Sequence, residues 1–224
     1  MRANNRGGDG MITRFKSRLL EEPIRLARAP RALLICLPLV LAGCAGGGYG
    51  YMRDHGYVVP AVDTTTVDRS LLRHEVDWQG KEKPGTIVVN ISRRRLYLVQ
   101  KGHRAISYGV GVARTSAANF RGNAIIGRKE KWPHWTPTAS MMAAIPLYRS
   151  YAGGMKGGPG NPLGPRALYL YRNGHDTYFR LHGTTEPQTI GHAVSSGCIR
   201  LFNQDIIDLY NRVHVGTRVE VIQG

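Results

Sequence analysis

The sequence predicts a mainly β domain with one or two short helices, and three observations carry that prediction. Its apolar runs are only five or six residues long and are separated by turn residues. Glycine and proline are frequent, 28 and 12 of 224 residues, which favours turns over a helical bundle. One segment, following Asn203, stands out by repeating apolar residues at helical spacing.

The elements follow in order from Pro84. Residues 86–90 (TIVVN) and 95–100 (RLYLVQ) read as strands, with Ser92, Arg93 and Arg94 near the turn between them. Lys101 and Gly102 turn the chain into an extended stretch over 105–112, and 124–131 is a further strand. Pro133, Pro137 and Pro146 then rule out long regular elements. Residues 153–165 (GGMKGGPGNPLGP) predict a long, mobile Gly/Pro-rich lid loop. Strands resume at 167–171 and 178–182. Asn203 is the expected N-cap of a helix that turns Ile206, Ile207, Tyr210 and Val213 to one side. Gly216 ends the helical unit, and 217–222 is the last strand.

The N-terminus reads as an export signal. Arg25, Arg28 and Arg31 precede ALLICLPLVLAG, an uncharged run from Ala32 to Gly43. It is too short for a membrane span, which needs roughly 20 residues, but suits a cleaved signal peptide. Leu41, Ala42, Gly43 and Cys44 match the bacterial lipobox, in which the chain is cut before the cysteine and its thiol is lipidated. Residues 1–43 are therefore expected to be a lipoprotein signal and 44–83 a lipidated cysteine with a flexible tether. The expected partner of that N-terminus is a membrane; the resemblance to bacterial lipoproteins, with the non-acidic Ala45 after Cys44, implies the periplasmic face of a Gram-negative outer membrane.

The chain is basic, with a net charge of +16. Eight basic and three acidic residues fall in the first 43, leaving 23 basic against 12 acidic residues in the rest. An excess of that size suits a polyanionic neighbour. No helix-turn-helix, zinc-finger or RNA-recognition pattern is present, so the expected polyanion is the cell envelope and not nucleic acid.

Of three cysteines, Cys36 lies in the signal and Cys44 is taken by lipid, which leaves Cys198 alone. A lone thiol in an exported protein points to reactivity or an intermolecular partner. It lies in Ser195-Ser196-Gly197-Cys198-Ile199-Arg200, sixteen residues after His182. A thiol with an ordinary pKa of ~8.5 is mostly protonated at neutral pH, and a nearby imidazole can take that proton. Gly197 allows close backbone approach. The amides of Gly197 and Cys198 are candidate donors to an oxyanion, and Arg200 is a forked donor for a substrate carboxylate. His192 is a second candidate base. Trp132 and Trp135 are candidates for a peptide-binding groove or for core packing. The remaining histidines show no ligand spacing, so no metal is expected.

His182-Gly183-Thr184, the gap, and Ser-Ser-Gly-Cys followed by Ile199 and Arg200 together resemble the L,D-transpeptidase catalytic domain. The likeness extends over 84–223 and includes Asn161-Pro162-Leu163-Gly164 and Thr189-Ile190-Gly191. It implies a β-sandwich-like fold and a thioester acyl-enzyme on peptidoglycan stem peptides. Cys198 takes the place of the nucleophile, His182 that of the base, and Gly183 that of the carbonyl orienting the imidazole. No cofactor is implied. The acyl acceptor stays open among a second stem, an envelope protein and water. Ser196 departs from the family pattern, which has histidine there. A non-catalytic wall-binding lipoprotein and a cysteine peptidase or amidase are the alternative readings.

Overall fold

The computed structural model describes residues 48–224. The signal segment and Cys44 lie outside the described residues. Thirteen strands and two α-helices follow in order: β1 Met52–Asp54, β2 Tyr57–Val59, β3 His74–Asp77, β4 Ile87–Asn90, β5 Arg95–Gln100, β6 Arg104–Gly109, β7 Val112–Ala113, β8 Gly122–Lys131, α1 Ala139–Ala144, β9 Arg166–Arg172, β10 His175–His182, β11 Ala193–Ser195, β12 Ile199–Arg200, α2 Asn203–Arg212 and β13 Arg218–Ile222.

Nine strands form one mixed sheet in the order β12-β10-β9-β8-β13-β4-β5-β6-β3. The side-chain period of two sets one face inward. Ile87 and Val89, Leu96 and Leu98, Ile106 and Tyr108, Leu168 and Leu170, and Val219 and Val221 all enter one core. Ile206, Leu209 and Val213 of α2 cover it. Gly111, just beyond β6, exchanges both backbone hydrogen bonds with Arg200 of β12 at 2.9 Å. The β12 end of the sheet is thereby bridged to the chain leaving β6, near the other end, and the architecture is mainly β as expected.

The tether expected over 44–83 is corrected by its described part. β3 pairs antiparallel with β6 as the edge strand of the main sheet. β1 and β2 form a hairpin. Tyr49 is buried and packs with Ile190 and Phe202, joined by Val62, Val67, Leu71 and Leu72. The Tyr49 hydroxyl lies 2.9 Å from both oxygens of Asp205 on α2, and Arg73 Nη1 lies 3.3 Å from the same carboxylate. Strands of three or four residues are too short for a periodic signal, and their burial comes from partners far along the chain. Arg69–Leu71 forms a 3₁₀ turn that ends at Leu72.

Burial raises the Asp205 carboxyl to about 7, against the pull of the Tyr49 hydrogen bond and Arg73. Tyr49→Phe removes a donor from this buried group. It is expected to destabilise the fold by about 1–3 kcal/mol, read as a lower urea midpoint at unchanged slope.

Candidate active site

The strands that carry the site are those whose inward residues are Ile126, Leu168, Leu170, Leu181 and Ile199. The opposite, outward face of β9 and β10 therefore presents Tyr169, Arg180 and His182. Cys198 and Arg200 flank Ile199 on that same side. Register slips between Ile126 and Arg128, so Arg128 pairs with Tyr169 and places its guanidinium 3.6 Å from that ring centroid. A cleft of about 500 Å³ lies over this face, and His182, Ser195, Ser196, Gly197, Cys198 and Arg200 all line it. Its other wall comes from residues 134–163, including Trp135, Met141 and Leu163.

His182 is buried, and its Nδ1 lies 2.6 Å from the carbonyl oxygen of Gly183. That contact requires the proton on Nδ1 and leaves Nε2 with a lone pair. The same peptide group is held from behind, since Thr184 N–H donates to Asn203 Oδ1 at 2.8 Å. A Cβ on Gly183 would meet Pro165 Cδ at 2.8 Å, so only glycine fits beneath α2. Asn203 is corrected as an N-cap. It is the first helical residue, Phe202 holds the cap position, and the Asn203 carbonyl is spent on the His-Gly-Thr turn.

Ser195 Oγ donates to the Cys198 carbonyl at 2.7 Å and accepts from Gly197 N–H at 3.2 Å. The serine thus clasps the turn that presents the thiol. The Gly197 amide is accordingly engaged and not free for an oxyanion. Gly197 has φ +149, and a Cβ there would stand 3.2 Å from both the Ala118 carbonyl and Phe179. Ser196 is exposed at the cleft rim.

The Cys198 Sγ lies 4.0 Å from the Tyr178 carbonyl, and among the described residues no hydrogen bond joins it to His182. Burial raises the thiol pKa, while the Arg180 backbone N–H and the guanidinium groups of Arg180 and Arg200 pull it down by less. Burial, aided by the positive charge of Arg200, lowers His182 to about 4. Both groups are therefore neutral at rest.

Arg200 is paired with Glu186, Nη1 to Oε2 at 2.7 Å, so its fork is already partly used. Trp135 lines the cleft, but Trp132 is turned to the hairpin, donating Nε1 to Asp54 at 2.7 Å and packing on Tyr57. His192 is exposed and outside the cleft. The Gly/Pro-rich loop expected over 153–165 is present and is anchored at Asn161. Asn161 is buried and its Nδ2 donates to the carbonyls of Pro133, Met155 and Lys156. Arg128, Tyr169 and Arg180 had no motif to mark them, because alternate polar residues on a strand look like ordinary surface.

A mainly β domain that holds a free thiol and a tautomer-fixed imidazole in one cleft has the parts of a cysteine acyltransferase. Residues 84–221 match the L,D-transpeptidase catalytic domain, and the chain belongs to that family. It is 38% identical over 144 residues to "Probable L,D-transpeptidase YbiS" of Escherichia coli K12, covering 61% of this chain and 44% of that protein. A Fuscovulum blasticum protein, provisionally named an L,D-transpeptidase of the ATP synthase subunits region, is 36% identical over 140 residues, covering 62% and 70%. A solved Brucella melitensis chain described as a "Probable carnitine operon oxidoreductase" is 44% identical and covers 71% of this chain and 99% of that one. Its TM-score of 0.48 is too low to carry weight. The chain spans less than half the length of the Escherichia coli relative.

Asn203→Ala leaves the Thr184 N–H without its acceptor and frees the peptide that orients His182. A stability loss of about 1–3 kcal/mol is expected in thermal or urea unfolding. The imidazole ¹⁵N shifts should move away from those of a single Nδ1–H tautomer.

Proposed function

We propose that this protein is a peptidoglycan L,D-transpeptidase with Cys198 as nucleophile and His182 as base. The observation that carries the reading is the Nδ1–Gly183 contact, which leaves Nε2 as the only ring nitrogen able to accept a proton, in a cleft shared with the thiol.

Both groups are neutral at rest, so proton transfer accompanies attack. Sγ bonds to the carbonyl carbon of the third stem residue, diaminopimelate, as the thiol proton passes to Nε2. The Cys198 N–H is the remaining backbone donor for the oxyanion, while Ser195 holds the turn. Collapse breaks the peptide bond, the His182 proton leaves with the amine of D-Ala, and a thioester remains. An amine of a second stem, or of an envelope protein, then gives its proton to His182, attacks the thioester and restores the thiol. Arg180 and Arg200 lend positive charge that favours the anionic intermediate and substrate carboxylates.

The lipobox at Leu41–Cys44 and the excess of basic residues support export and attachment at the periplasmic face of the outer membrane. The anionic wall is then within reach. The test is D-Ala release from a disaccharide tetrapeptide, with mass spectrometry of joined stems. Cys198→Ala is expected to abolish release, and His182→Ala to slow it about 10²–10⁴-fold. A fully active Cys198→Ala enzyme rejects the reading.

The pH profile follows from the shifts. A base must be neutral, so the acid limb of kcat/KM is expected near pH 4, below the free-imidazole value of 6.5. Iodoacetamide labelling of Cys198 without substrate should be slow at neutral pH and rise only above the ordinary thiol range, since burial raises that group.

A further inference from the structure

A second and larger recess, of about 810 Å³, lies on the same outward sheet face as the cleft, further along β8 and β9 toward β13. Its floor is Ile125 and Tyr171, and Lys81, Lys83, Arg172 and Arg218 stand around it. Tyr171 is two residues beyond Tyr169 of the cleft, about 7 Å along one strand. A Cβ on Gly127 would overlap the Tyr171 ring, so that ring lies across the residue separating Ile126 from Arg128. Recess and cleft thus adjoin on one continuous surface.

Three of these four cations are not spent on carboxylates or carbonyls of the described residues. Lys81, Lys83 and Arg218 are exposed and form no ion pair among the described residues. Arg172 is braced over Phe120, its guanidinium carbon 4.3 Å from the ring centroid, and its Nε donates to the Asn123 carbonyl at 2.9 Å. Two carboxylates also line the recess. Glu82 accepts from Trp78 Nε1 at 3.1 Å, and Glu220 leaves the balance positive. An apolar and aromatic floor flanked by three exposed cations without carboxylate partners, Lys81, Lys83 and Arg218, and by the braced Arg172 fits a polymer that offers sugar faces and carboxylates together.

We infer that this recess is a binding site for the peptidoglycan strand itself, gripping glycan and stem carboxylates beside the stem held in the cleft. The inference rests on the proposed wall substrate. The site holds polymer and takes no part in bond making.

The test is retention on purified Escherichia coli sacculi by co-sedimentation over a salt series, in parallel with turnover of the soluble disaccharide tetrapeptide. Lys83→Glu with Arg218→Glu is expected to weaken retention about tenfold or more at low salt and to flatten its salt dependence. Soluble turnover should change less than about twofold, since neither residue reaches the cleft. A control pair with the same charge change elsewhere, Arg93→Glu with Lys101→Glu, should keep retention near wild type. Two outcomes overturn the inference: undiminished retention of the first pair, or equal loss in the control pair. Retention that depends on Lys83 and Arg218 in a protein releasing no D-Ala would sink the transpeptidase reading and leave the strand site standing.

Discussion

The peptide group between Gly183 and Thr184 governs what the cleft can do. Its carbonyl takes the Nδ1 proton of His182, and its N–H is taken by Asn203. In a planar trans peptide these two groups point in opposite directions, so fixing one fixes the other. The first residue of α2 therefore dictates the tautomer of an imidazole on β10. The steric demand runs the same way, because a side chain on Gly183 would strike Pro165 and push the helix off the turn. Sheet, helix and loop are joined at one point, and the chemistry hangs from it.

Burial decides the resting charge state at that point. For the imidazole, burial and the positive charge of Arg200 act together and lower the pKa to about 4. Relative to free imidazole the imidazolium is about 3 kcal/mol less stable here. For the thiol the two effects oppose, and burial wins over Arg180 and Arg200. A protonated thiol is a poor target for oxidants and for stray electrophiles. Cys198, the one cysteine among the described residues, gains protection from that arrangement. The imidazole in the same cleft is likewise neutral, with Nε2 unprotonated.

Much of this was legible in the sequence, and the reasons differ by element. β5 was read at its observed bounds because a short apolar run, Leu96 to Val99, is closed on both sides by polar and turn residues. The thiol and the histidine were legible because each sits in a short local text, His-Gly-Thr and Ser-Ser-Gly-Cys. What sequence reading missed depends on distant partners. β3 reads HEVD, with almost no apolar content, and becomes a strand because β6 offers it an open edge. Tyr49 looked like part of a flexible tether, and its role appears only when Asp205, 156 residues away, is folded against it. Asn203 was correctly placed at a helix start but given the wrong task, since capping is a local rule and its true acceptor role is tertiary.

Two irregularities in the sheet explain why so many polar residues share one face. β9 runs straight, while its neighbours slip register on either side, β8 between Ile126 and Arg128 and β10 between Asp176 and Arg180. Strict alternation from Ile126 would send Arg128 into the core. The extra residue re-aims it outward over Tyr169, and Lys129 turns inward to the carbonyls of Tyr210 and Val213 at the end of α2. On the other side the slip contains Tyr178, at φ +62, whose carbonyl faces the Cys198 Sγ. It also delivers Arg180, 4.5 Å from the Tyr169 ring centroid. Tyr169 is thus flanked by two guanidinium groups brought there by two bulges. The cost is a break in the ladder on both sides of one strand. That cost is offset where Leu168 and Leu170 of the same strand are fully buried. A straight central strand with bulged neighbours thus gathers two guanidinium groups on one ring beside the cleft, each paired with a carboxylate of its own strand, Glu130 and Asp176.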